Sequence, residues 1–155
     1  MKSKGTIAAI KQSIMDSLAR DADVGKIRGY DSEGYISHKT KLPAYSVQRG
    51  ARRRGDKNDF TAGHMNYVLP LRISFLVEPT RDGAVDDKLY LLEEGAESQL
   101  NNDFNDGLLH NSIVKLTLSG AFERPVYHID NINVYAHAVI MTYDIHYEVD
   151  WIAVE

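Results

Sequence analysis

The chain has 155 residues, 43% of them hydrophobic and 26% charged, which is typical of one globular domain and excludes a disordered or fibrous protein. It contains no Cys, so disulfides, thiol nucleophiles and thiolate metal sites are excluded. The net charge of −4 argues against a protein that coats nucleic acid non-specifically.

The first predicted element is an amphipathic helix in the segment TIAAIKQSIMDSLARD. Its apolar residues Ile7, Ile10, Ile14 and Leu18 recur at helical spacing on one stripe, and Thr6 is the predicted N-cap. Lys11, Gln12 and Asp16 interrupt the apolar run before it resembles the core of a signal peptide. No later run approaches the roughly 20 apolar residues of a membrane span. We therefore expect a soluble, unprocessed intracellular protein with no membrane contact.

A long β-hairpin is predicted next. Residues 25–40 predict at most one short strand, whereas Leu42–Gln48 and the alternating residues from Tyr67 to Val77 predict two clear strands. The segment that connects them, QRGARRRGDKND (Gln48–Asp59), carries five basic and two acidic residues. It is about +3, while the rest of the chain is about −7. Gly50 and Gly55 are the predicted turn residues.

A second helix and further strands complete the chain. The helix has apolar residues at helical spacing and should end within Asn101–Asp106, where Asn and Asp accumulate. A short strand with alternating Val114, Leu116 and Leu118 follows, and a long strand begins at Ile132. The predicted apolar face of the helix consists of Leu89, Leu92, Ala96 and Leu100.

These elements predict an α+β fold with a single domain over residues 1–155. Two helices with one apolar stripe each, and a sheet with one apolar face, favour a two-layer sandwich. In this fold both helices pack on one face of a largely antiparallel sheet, which carries a long basic β-hairpin loop.

No motif predicts catalysis, a cofactor or a metal site. None of the six His forms the helical i, i+4 pair of a zinc enzyme, and His137 and His146 fall on opposite faces of the last strand. No nucleophile elbow or phosphate-binding loop is present. The last strand also carries an aromatic stripe, but its neighbours are apolar rather than basic, so we expect core packing instead of a stacking platform for nucleic acid. The stripe consists of Tyr135, Tyr143, Tyr147 and Trp151.

The basic hairpin loop is the candidate partner-interaction site. Its charge is mainly on Arg, whose planar guanidinium pairs bidentately with carboxylates and phosphates. A solvated turn, a protein partner and a nucleic-acid partner all stay open for it. The candidate residues are Arg49, Arg52, Arg53, Arg54 and Lys57.

The order of elements resembles that of the tail-terminator (tail completion) proteins of long-tailed bacteriophages. The resemblance rests on the helix TIAAIKQSIMDSLARD, the Pro-led strand LPAYSV, the charged loop, the strand YVLPLRISFLV, the helix DDKLYLLEEGAESQL and the strand VYAHAVIMTYDIHYEVDWI. It spans nearly the whole chain, and the long segment over residues 25–40 departs from the pattern.

This resemblance implies a structural virion protein and not an enzyme. Such proteins form a hexameric ring that caps the tail tube, stops its polymerisation and provides the head-attachment surface. The implied partners are further copies of the chain, the tail tube protein and the head–tail connector (neck) protein. The implied location is the head-proximal end of the tail, in a virion assembled in the host cytoplasm.

Two alternatives stay open beside a tail terminator. A neck or connector protein of the same virion would share the ring assembly. A small nucleic-acid-binding module would use the Arg49–Lys57 loop on phosphates, and within a ring the same loop could meet the DNA in the lumen. We favour a protein neighbour for the loop, because dense positive charge would hold DNA that must slide.

Overall fold

The computed structural model describes residues 5–31, 42–55, 64–78, 85–118, 123–129 and 134–150. Lys57 and Trp151 lie outside the described residues, as do most of residues 25–40 beyond the first short strand. The helices are α1 (Thr6–Arg20) and α2 (Val85–Asn105). The strands are β1 (Arg28–Asp31), β2 (Ala44–Arg49), β3 (Arg53–Arg54), β4 (His64–Val77), β5 (Ile113–Leu118), β6 (Val126–Ile129) and β7 (Val134–Asp150).

Within the described residues, seven strands form one sheet with the order β1-β2-β4-β7-β5. β4 and β7 are its centre and pair antiparallel along the whole length of β4, from His64↔Asp150 to Val77↔His137. β2 forms the predicted hairpin with β4, and β3 also pairs with β4. β5 and β6 both pair with β7. Because β1 and β2 alone are parallel among these pairs, the sheet is largely antiparallel, as predicted.

Both helices pack on one face of the sheet, which confirms the two-layer α+β fold. The odd-numbered residues of β4 and β7 point to the helices, because side chains alternate between the two faces of a strand. These residues are Leu69, Leu71, Ile73, Phe75, Val77, Val139, Met141, Tyr143, Ile145 and Tyr147. The helices bury the predicted stripes against them, through Ile10, Ile14, Leu18, Leu89, Leu92, Ala96 and Leu100. Tyr143 and Tyr147 are therefore core residues, as expected of the aromatic stripe.

A buried carboxylate joins the two helices. Asp103 of α2 is 3% exposed and accepts hydrogen bonds from Ser17 (2.6 Å), Arg20 (2.9 Å) and Gln99 (3.0 Å). Burial alone would raise the pKa of Asp103, but the hydrogen bonds from Ser17, Gln99 and Arg20 and the charge of Arg20 together lower it. The ionised carboxylate is thus part of the packing between α1 and α2.

Several local predictions are wrong. Thr6 is the first residue of α1 and not its N-cap, which is Gly5, and no side chain caps this end. Val114 does not share a face with Leu116 and Leu118, because the register of β5 shifts between Ile113 and Lys115 and leaves Val114 48% exposed. The sequence also gave no indication of the two-residue strand β3 or of β6, which is too short to show a period.

Candidate interaction surface

The described part of the basic segment, which runs to Gly55, continues the pairing along β4. Arg49 ends β2 opposite Leu71, and Arg53 and Arg54 form β3 against β4. The amides of Gly50 and Gly55 donate to carbonyl oxygens of β4, at 2.8 and 2.9 Å. The interpretation of these two glycines as turn residues is therefore wrong, although the hairpin itself is confirmed.

A bulge in this hairpin, together with the alternation of side chains along a strand, decides which face of the sheet each arginine takes. Between the pairs Arg49↔Leu71 and Arg53↔Val68, three residues of the basic segment face two of β4. One extra residue reverses which face the following side chains point to. Pro70 is one of these two β4 residues. Because proline has no amide hydrogen to donate between strands, it is compatible with a bulge in the strand pairing at this point. Arg49 and Arg54 therefore lie on the face of Leu71 and Tyr67, whereas Arg53 lies on the opposite face, so the arginines do not form one patch.

Arg53 points to the sheet face away from the helices. Its guanidinium lies 3.2 Å from the carboxylate of Asp144, which β7 presents on the same face. Both side chains are substantially exposed, so this pair contributes at most about 1 kcal/mol to stability. Arg53 is thus engaged by its own chain, and sequence reasoning missed this partner because the register of β7 against β3 and β4 is a tertiary property.

Arg52 lies on the helix side of the sheet, over a pair of aromatic rings. Its guanidinium is 4.5 Å from the centre of the Tyr67 ring, and that ring stacks on Tyr147 with centres 5.6 Å apart. This cation–π contact orients the guanidinium while leaving its edge accessible. The neighbouring Tyr147 hydroxyl raises the pKa of Arg52, which stays cationic at every physiological pH.

Arg49 and Arg52 border an open cavity of about 690 Å³ beside the first turn of α1. Its walls combine apolar and cationic side chains. The described lining residues are Gly5, Thr6, Ile7, Ala8, Lys11, Gln12, Arg49, Arg52 and Val149. No acidic residue lies in the first turn of α1, so its free amides add to the positive potential of the cavity. We call this surface the basic end of the molecule. No pattern in the sequence indicated that α1 contributes to it.

The remaining polar clusters of the described residues hold the fold together. Arg124 contacts Glu93 at 3.1 Å and lies over the Tyr90 ring at 4.3 Å, which ties the segment before β6 to α2. Burial raises the pKa of Glu93 although Arg124 opposes this. In the described part of the chain, no group of three or more His, Asp or Glu side chains could hold a metal ion. None of its helices is both long and apolar enough to cross a membrane.

Comparisons with known proteins identify no family. No protein-family model matches the chain, and no curated protein matches it. Among solved structures, it is similar to a chain in the virion of a native gene transfer agent particle, at 14% identity and a TM-score of 0.46. The match covers 93% of this chain and 99% of that one. An identity and a TM-score this low carry no argument about function.

Proposed function

We propose that the protein is a structural component of a phage-like virion, a tail terminator that forms a ring on the tail tube, stops its growth and provides the head-attachment surface. The observation that carries this proposal is the element order. The resemblance to tail terminators rests on helix, strand, charged hairpin, alternating strand, helix and long strand. The structure has these elements in this order as α1, β2, the β2–β4 hairpin, β4, α2 and β7.

The interaction surfaces of the fold are consistent with this structural role. Among the strands that the structure describes, β1 is outermost on one side, and β5 and β6 lie beyond β7 on the other. A strand at the edge of a sheet offers backbone groups for pairing with another chain. Among the described arginines of the candidate site, Arg49, Arg52 and Arg54 form no ion pair within the described residues and offer donors to a partner.

The same contacts give less support to a nucleic-acid-binding module. Such a module gains its affinity from several cations that neutralise neighbouring phosphates together. Here Arg53 points to the opposite face of the sheet from Arg52, and Arg53 pairs with Asp144. A neck or connector protein of the same virion stays the principal alternative within the structural class.

Loss of the gene tests the proposal. Particles assembled without the protein should have tail tubes that overrun their normal length or fail to join heads, because nothing stops polymerisation at the tube end. Electron micrographs measure tail length and the fraction of tails with a head, and complementation by the wild-type gene is the control. Tails of normal length that lack heads would instead favour a neck protein. Normal-length tails joined to heads would refute both roles.

A further inference from the structure

A second surface of the molecule has the opposite character to the basic end. On α2, Asp87, Leu91 and Glu94 follow one another at i, i+4 and i+7 and are exposed, with Leu91 54% exposed. Neither carboxylate forms an ion pair within the described residues. Lys88 is next to this stripe. Arg124 contacts other carboxylates of α2, because it pairs with Glu93 and lies near Asp86. We call Asp87, Leu91 and Glu94 the acidic stripe.

The acidic stripe and the basic end of one molecule lie too far apart to contact each other. The basic end adjoins the first turn of α1, and a helix of 15 residues is roughly 22 Å long. The far end of α1, at its C-cap Asp21, lies against Gly95 of α2: a Cβ added to Gly95 would be 2.6 Å from Oδ2 of Asp21. From there α2 runs back along α1, since Asp103 bonds Ser17. The stripe precedes Gly95 in the chain and therefore lies at the end of the helical layer remote from the basic end.

The two surfaces also match in shape and polarity. The cavity at the basic end has apolar walls at Ile7, Ala8 and Val149 and guanidinium groups at its border. The acidic stripe has one apolar side chain between two carboxylates, each about one turn away. Leu91 can enter the cavity while its flanking carboxylates accept bidentate hydrogen bonds from Arg49 and Arg52.

We propose that the acidic stripe of one copy docks on the basic end of the next copy. Because the contact joins two different surfaces of the same chain, it is head-to-tail, and it propagates until the rotation between neighbours closes a ring. The inference deepens the proposed function: it rests on the ring and assigns the surfaces of its subunit contact. Phosphates or an acidic segment of another protein are the competing occupants of the basic end.

Paired charge reversals test this contact. The variant Arg49→Glu/Arg52→Glu reverses the basic end, and Asp87→Arg/Glu94→Arg reverses the acidic stripe. Each should weaken self-association of the full chain at least tenfold, because like charges then face each other. In an equimolar mixture of the two variants, every contact is again between opposite charges, so association should return. The control Lys26→Glu/Lys115→Glu makes the same charge change as the first variant at two exposed residues elsewhere and should associate like the wild type.

Sedimentation over a concentration series at low and high salt provides the measurement, and circular dichroism confirms that each variant is folded. Loss in both variants with recovery in the mixture supports the proposal. Loss in the basic-end variant alone would overturn it in favour of a different docking surface on the neighbouring copy. Unchanged association in both variants would overturn it in favour of an occupant other than a second copy.

Cross-linking extends the test to assembled particles. It therefore also tests the contact if the wild-type chain associates only on the tail tube and not in solution. The chain has no Cys, so Ala8→Cys/Leu91→Cys introduces one thiol on each surface and nothing else reacts. A bifunctional maleimide should produce a ladder of multimers from concentrated protein or from particles, and neither single variant should. Absence of the ladder in both preparations would overturn the proposal. Since tail length is measured separately, failure of this contact is distinguishable from failure of the tail-terminator role.

Discussion

Replacing Asp103 should break the polar link between the two helices. The variant Asp103→Ala removes the acceptor of three side-chain hydrogen bonds and leaves the Ser17 hydroxyl, which is fully buried, without its partner. Hydrogen bonds to a buried charged group contribute about 1.5–3 kcal/mol each but are not additive. The Arg20 side chain is 42% exposed, so its share is at most about 1 kcal/mol. We expect the free energy of unfolding to fall by about 3 kcal/mol.

The same residue should make stability depend on pH. The pKa of Asp103 is lowered in the folded protein, so its ionised form stabilises the fold above the unfolded pKa, which is near 4. That contribution is lost as the pH falls through the lower, folded pKa. Asp103→Asn cannot titrate. The difference in stability between wild type and Asp103→Asn should therefore be largest near pH 7 and should shrink below about pH 4.

Urea unfolding followed by circular dichroism at pH 7 and pH 3 measures both effects. With a slope of about 2 kcal/mol per molar urea, Asp103→Ala should lower the unfolding midpoint by roughly 1.5 M at pH 7. Asp106→Ala is the matched control, since it removes an exposed carboxylate just beyond α2. Equal unfolding midpoints for Asp103→Ala and Asp106→Ala at pH 7 would refute the reasoning. So would a difference in stability between wild type and Asp103→Asn that does not change with pH.

Two further substitutions should change stability in directions that the structure determines. Tyr143→Phe should raise the free energy of unfolding by about 1 kcal/mol, because the buried Tyr143 hydroxyl has no hydrogen-bond partner in the described part of the chain; a lower melting temperature would contradict this. Gly95→Ala should destabilise the wild type although Ala favours helix by about 1 kcal/mol. The new Cβ would meet the Asp21 carboxylate, which is held by the amides of Asp23 and Val24 at 3.0 Å. In an Asp21→Ala background the same change should stabilise, and a gain in both backgrounds on thermal unfolding would show that Asp21 is not the obstacle.

The periodic segments of the sequence were sufficient to predict the fold class and most of the core. The residues from Leu69 to Val77 and from Val139 to Tyr147 alternate so regularly that the buried face of both central strands follows from period alone. The stripes Ile10–Ile14–Leu18 and Leu89–Leu92–Ala96 likewise predicted which helix faces are buried. These predictions succeed because burial of apolar surface dominates wherever a regular element has one dry side.

The local conformation of the basic segment and the contacts between secondary-structure elements could be determined only from the tertiary structure. Whether Arg53 and Arg54 form a turn or a strand depends on the backbone partners that β4 offers. The one-residue bulge between Arg49 and Arg53, which decides the face that each of them takes, leaves no periodic trace. The contact between Arg53 and Asp144, 91 positions apart, depends on the register of β7. The basic end, where Arg49 and Arg52 meet the first turn of α1, exists only because α1 packs across the sheet, and no local pattern in the sequence encodes where a helix docks.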